Sequence, residues 1–328
     1  FWQIRFRRNL ARPACGKGEK SMKKEEMAAS HGIQVKLYRT LPDRILLGCI
    51  WAMLIFIMVV ILVPVLFIIA SSFSDAKAVS AGRVFLWPVD FSLAGYQVIF
   101  QSPNIVRAFA NSVAYTAVGT VVSVSLTLLA GYPLSRTDLK IRGFVMFLFT
   151  VTMFFSGGMI PTYLVVSKLK LVDSFWAMIL PSAMGVWNVI LIKTYIQSSI
   201  PGEIYESASI DGCSDWKYFI QMVIPLSKPI IAVMILLYAV GKWNDFFSGL
   251  LYLNDVNKQP LQLLLRNILV TNDAAGMQLS LTEQMNRQEL KTLLQYSLII
   301  VSSVPVMILY PFIQKYFVKG IMMGSIKG

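Results

Sequence analysis

Histidine and cysteine are almost missing from this chain, and their scarcity removes whole classes of chemistry. His31 is the single histidine among 328 residues, so no His-based metal centre or histidine acid–base pair can be assembled. The three cysteines, Cys15, Cys49 and Cys213, fall in a basic tail, an apolar run and a polar loop. No two of them have disulfide or metal-ligand spacing in an oxidising compartment. Charge is scarce too: 14% of residues are Asp, Glu, Lys or Arg, whereas 56% are hydrophobic. With a mean hydropathy of +0.62, the chain cannot hide its apolar surface in one aqueous core, and lipid forms part of its solvent.

What is present in excess is long apolar sequence. A hydrocarbon core about 30 Å thick is crossed by about 20 helical residues. Six stretches reach that length: residues 45–70, 112–132, 143–163, 174–193, 229–253 and 293–312, the fifth interrupted by Lys242 and Asp245. The expected fold class is all-α, a polytopic membrane protein with both termini on one side. Residues 1–44 hold eleven Lys and Arg; Arg136, Lys140 and Arg142 follow the second span, and Lys315, Lys319 and Lys327 follow the sixth. By the positive-inside rule that side is the cytoplasm. Residues 1–40 read as a separate basic cytoplasmic tail able to rest on anionic lipid, with Met22 and Met27 as alternative starts. The first span is too long for a signal-peptide core and is read as retained.

The net charge of +13 does not imply nucleic-acid binding, because the basic residues flank membrane spans and no nucleic-acid-binding signature accompanies them. Residues 16–21 look like a phosphate-binding loop, yet the glycine required five positions before the Gly-Lys pair is absent and no strand precedes them. Residues 155–159, rich in Ser and Gly, read as a tight re-entry of the chain at the outer end of the third helix.

Residues 206–229 form a polar island between two apolar segments. Pro201 suits a helix start, Glu203 and Glu206 favour its positive end, and Gly212 can close it in the left-handed region. These signals predict a short helix over residues 202–210, with small side chains at Ser207, Ala208 and Ser209 that let another surface approach. A second amphipathic segment, residues 215–223, places Trp216, Phe219, Ile220 and Val223 on one face. Pro225 and Pro229 are expected to break it.

Glu206, Ala208, Asp211, Gly212, Phe219, Pro225, Leu226 and Pro229 resemble, position for position, the EAA motif of permease subunits from binding-protein-dependent ABC importers, with Ser207 where alanine is usual. The resemblance covers residues 40–328. Residues 85–92, 132–136, 157–163 and 317–320 resemble carbohydrate permeases of the maltose-transporter type, nearest to the oligo- and polysaccharide group that includes aldouronate and alginate-like transporters. The resemblance implies the type I importer permease fold, with residues 203–229 as a cytoplasmic loop whose coupling helix sits in an ATPase subunit. It implies further partners: a second homologous permease, two cytoplasmic ABC ATPase subunits and an extracytoplasmic solute-binding protein. ATP and Mg would be bound by the ATPases, while this chain holds no cofactor, no metal and no catalytic residue. Its implied task is to carry a saccharide across the bacterial cytoplasmic membrane by alternating access. Within the loop, Glu206 is expected to offer a carboxylate to the ATPase and Asp211 to cap or brace the turn.

The substrate path leaves two readings open. Lys242 and Asp245 are three residues apart in an apolar span, which permits mutual pairing that braces the bundle. Alternatively Lys242, Trp243, Asn244, Asp245 and Phe247, with Trp187 and Asn188, border a hydrated sugar path, rings stacking on pyranose faces. The outer loop of residues 254–290 is expected to meet the binding protein. A stand-alone secondary transporter would show inverted repeats and midplane ion ligands. An intramembrane enzyme would need a Ser/His, paired-Asp or His–Glu constellation in its spans. Neither pattern stands out in the sequence.

Overall fold

The computed structural model describes residues 41–270, 289 and 291–311. The expected tail over residues 1–40, residues 271–288 of the outer loop, Phe312 of the sixth span and the 317–320 ending lie outside the described residues. Among the described residues the regular structure is helical, apart from one antiparallel bridge between Ser74 and Phe91. The chain divides into two compact units, Phe1–Leu62 and Val63–Gly328. The described part of the first is a run of apolar helix; that helix, α1 (Leu41–Ser72), continues past the division and accommodates Pro64 internally.

In the second unit, α2 (Ala76–Ser80) and α3 (Ala94–Gln101) lead to α4 (Pro103–Ser135). This helix begins well before the expected residue 112, because Pro103 in its first turn supplies a preset φ at the position where no amide partner is required. Its buried face carries Ser112, Gly119, Ser123, Thr127 and Gly131, small residues that let neighbouring helices approach closely. A β-carbon at Gly131 would stand 2.7 Å from the Ile192 side chain, and one at Gly119 would stand 3.3 Å from the Lys242 stem.

Helices α4, α1 and α13 (Lys291–Pro311) are each long and apolar enough to cross a membrane. Three bent pairs bring the number to six if each pair is one span. In the first, α5 (Arg142–Phe154) and α6 (Met159–Lys168) meet at 115°, the chain turning within residues 155–158, in the stretch read as a tight re-entry. Gly158 sits at φ +85°, a conformation that side-chain-bearing residues rarely adopt, and it turns the chain there. In the second, two 3-10 turns, Phe175–Met178 and Leu180–Ser182, meet α7 (Val186–Ser199) at 56°. After α8 (Gly202–Ile210) comes the third pair, α9 (Asp215–Leu226) and α10 (Lys228–Trp243), at 80°. Then follow α11 (Phe247–Tyr252), a 3-10 turn at Val256–Lys258 and α12 (Leu261–Val270).

Breaking a helix in an apolar setting frees backbone polar groups that need partners inside the protein. Helix α10 supplies them. The Lys242 ammonium, in a residue only 8% exposed, donates to the Met178 carbonyl (3.1 Å), the Ile179 carbonyl (3.1 Å) and Ser182 Oγ (2.7 Å). One turn earlier, Tyr238 Oη accepts the Gly185 amide (3.2 Å) and shares a hydrogen bond with Thr127 Oγ1 (2.6 Å). The Lys242–Asp245 ion pair that the spacing permits, one of the two readings left open, is not formed. Three oxygens satisfy every N–H of the ammonium, and Asp245 Oδ1 instead accepts the Ser248 amide (3.0 Å) at the start of α11. Lys242→Met would leave the Met178 and Ile179 carbonyls without that donor. It should lower stability by on the order of 1–3 kcal/mol, read as a lower unfolding midpoint in detergent; an unchanged midpoint would contradict this bracing role.

Candidate functional site

The polar island forms the short helix that its local signals predict. Pro201 stands just before α8 with extended backbone, and Glu203 lies in the first turn. The helix closes through Asp211 and Gly212, the latter at φ +73°. The Cys213 amide reaches back to the Ala208 carbonyl (2.9 Å) and the Gly212 amide to Ser209 (3.1 Å), the double closure that favours glycine at this position. Ala208 points inward with Ile204 and Tyr205 toward a buried cluster that includes Tyr218, Phe219 and Val223. Glu206, Ser207, Asp211 and Gly212 point outward, and Ile210 at the helix end is 87% exposed. Asp211 is the residue that ends the helix: its amide donates to the Ser207 carbonyl (3.1 Å), and its side chain is exposed.

Asp215, the first residue of α9, is held separately, by Arg136. Arg136 follows the last residue of α4, and its side chain is largely buried. It donates to both Asp138 carboxylate oxygens (2.8 and 2.5 Å), to Asp215 Oδ1 (2.8 Å) and to Tyr132 Oη (3.1 Å). The guanidinium also lies 3.6 Å from the centre of the Tyr205 ring, and the Tyr205 hydroxyl donates to Asp215 Oδ1 (3.0 Å). The paired charges reinforce one another. The bidentate bond holds Asp138 below the usual carboxylate range and raises Arg136 further above its own. Beside this node is a cleft of about 490 Å³ lined by Tyr132, Arg136, Gln197, Tyr205 and Glu206 among others.

Helix α9 buries Tyr218, Phe219 and Val223, with the Phe219 ring 5.0 Å from that of Tyr132. Trp216, at 61% exposure, and Ile220 lie on the open side, which corrects the face expected for this segment. The buried face is set by the tyrosines of α4 and α8 that meet it. Pro225 does not break the helix. A π-type turn at Phe219–Val223, in which the Ile224 amide reaches the Phe219 carbonyl, loosens the backbone where the proline ring would clash. The chain turns only at Ser227, next to Pro229 in the first turn of α10. Leu226 is exposed at the end of α9.

Among the residues expected to line a sugar path, Lys242 and Trp243 are used inside the fold. Trp243 Nε1 donates to the Ser302 carbonyl (2.8 Å) and its ring meets Phe109 edge-on. Asn244 is exposed and donates back to the Val240 carbonyl (3.0 Å). Phe247 and Trp187 are exposed, Asp245 caps α11, and Asn188 lies half-buried beside Gly185. The Arg136 node was missed because its members are far apart in the chain, although residues 132–136 already stood out by resemblance.

The profile described as "Binding-protein-dependent transport system inner membrane component" matches residues 123–323, which include the whole of α8 and α9. The polygalacturonan/rhamnogalacturonan transport system permease protein YtcP of Bacillus subtilis (strain 168) is 43% identical over 280 residues, covering 85% of this chain and 97% of that protein. A crystal structure of a bacterial ABC transporter involved in the import of the acidic polysaccharide alginate contains a chain 31% identical to this one. It superposes with a TM-score of 0.76 over 85% of this chain and 98% of that one. A chain of bacterial alginate ABC transporter in complex with alginate pentasaccharide-bound periplasmic protein shares the fold at 15% identity and a TM-score of 0.50. This chain therefore belongs to the inner-membrane components of binding-protein-dependent transport systems, as a membrane-spanning permease subunit.

Proposed function

We propose that this permease subunit carries an acidic oligosaccharide or polysaccharide into the cytoplasm by alternating access, and that α8 is the element through which partner ATPases drive it. The observation that carries the reading is the division of α8 into two faces. Ala208, Ile204 and Tyr205 tie one face to the body of the protein, while Glu206, Ser207, Ile210 and Asp211 are presented outward. A short helix held on one side and bare on the other suits a groove in a second protein. It transmits only the difference in contact energy between the two states of that partner.

The full assembly in this reading has a second homologous permease, two ATPase subunits that bind ATP and Mg, and an extracytoplasmic solute-binding protein. The α8–α9 side faces the cytoplasm with both termini, in keeping with the basic residues after the second span and at the chain ends. An acidic cargo is supported by the polygalacturonan and alginate transporters among the similar proteins. Lys242 is not its counter-charge, because its ammonium is fully engaged by Met178, Ile179 and Ser182. The exposed Asn244, Phe247 and Trp187, with Asn188, remain the residues proposed to border the path.

Vesicles holding the complete importer should accumulate labelled uronate oligosaccharides in preference to neutral ones, and only with ATP. Glu206→Ala and Gly212→Pro should each reduce that uptake roughly 5-fold or more, the range of a coupling free energy of about 1–3 kcal/mol. Full uptake by both variants, or uptake without any ATPase, would overturn the coupling role and favour a stand-alone secondary transporter. Preference for neutral sugars would overturn the cargo assignment.

A further inference from the structure

We infer that Arg136 is a positioning residue that locks α8 to the end of α4, so that the loop and the long membrane helix move as one body during transport. This rests on the reading of α8 as the coupling element.

Four observations on different elements converge on this one side chain. Its forked guanidinium uses one edge on Asp138, which fixes the fork relative to the backbone just beyond α4. Its remaining nitrogen bonds Asp215, the first residue of α9, and Tyr132 near the end of α4. Its flat face covers the Tyr205 ring on α8. Arg136 thus grips both helices that flank the Gly212 turn. A cleft of about 490 Å³ lies beside it, and the arginine adds a direct polar link between α8, α9 and the end of α4 to the apolar packing of Ala208, Ile204 and Tyr205.

The chemistry calls for arginine in particular. A planar, delocalised cation can bond a carboxylate through one edge and stack on a ring through its face, whereas a lysine ammonium is a point charge that does neither well. The Arg136 side chain is 13% exposed while Asp138 and Asp215 are 64% and 71% exposed, so water screens the carboxylates and the arginine acts through its simultaneous contacts rather than through one strong pair.

The test is the amount of labelled sugar imported per ATP hydrolysed by the complete importer in vesicles, for Arg136→Gln, Arg136→Lys and Asp215→Asn. Arg136→Gln should lower that ratio by roughly 5-fold or more, with the ATPase subunits still co-purifying. Arg136→Lys should fall between it and the unmodified protein, and Asp215→Asn should also lower the ratio. An unchanged ratio in Arg136→Gln and Asp215→Asn would overturn the inference. So would uptake and hydrolysis falling in proportion, because that pattern marks a purely structural residue. If Arg136→Gln does not accumulate, Asp215→Asn decides the matter, since it leaves both Asp138 bonds in place. Uncoupling by Glu206→Ala and Gly212→Pro but not by the Arg136 variants would sink this inference alone. Full coupling in Glu206→Ala and Gly212→Pro would sink the reading of α8 beneath it.

Discussion

Backbone polar groups in lipid have no water to turn to, and the architecture depends on how this chain satisfies the ones it frees. The 3-10 turns before α7 interrupt the regular ladder in the fourth apolar stretch. Lys242 answers with an ammonium bonded to two carbonyls and a hydroxyl, and Tyr238 answers with a hydroxyl that accepts the Gly185 amide. Both side chains come from one face of α10, and both rest against the small-residue face of α4: Lys242 over Gly119 and Tyr238 against Thr127. A charge that would be costly in hydrocarbon is tolerated because it replaces the hydrogen bonds that the broken helix lost.

Helix α4 links this interior node to the loop. At about 1.5 Å per residue its 33 residues form a rod on the order of 50 Å long. Its middle is packed against the Lys242 stem, and its end carries Arg136. A force applied at α8 would thus be delivered to the helix against which the broken spans are packed. The shared feature of the two nodes is a long basic side chain that reaches across sequence-distant elements and satisfies several oxygens at once.

Sequence reading found what was locally encoded. The α8 helix was legible because Pro201, Glu203 and Gly212 are signals within a single short segment, and Gly212 does adopt the left-handed conformation that its position requires. The family was legible because the EAA motif is likewise local. Partners distant in the chain were not. Lys242 looked like a mate for Asp245 three residues away, yet its oxygens lie 60 to 64 residues upstream. Arg136 and Asp215 are 79 residues apart, and no periodicity connects them. Hydropathy averaged over residues 143–163 does not show the sharp turn, whereas Gly157 and Gly158 marked its place as a re-entry. In α9 the positions of Phe219 and Val223 were read correctly as buried. Trp216 and Ile220 were not, because tyrosines on other helices, Tyr132 and Tyr205, choose the buried side.

The most direct test of the account is to place a photo-crosslinking side chain at Ile210, the exposed tip of α8, in the intact importer and to identify what it captures. The account predicts a covalent adduct with an ATPase subunit whose yield changes between the nucleotide-free and ATP-bound states. Adducts with lipid or with another membrane subunit alone, in either state, would contradict it.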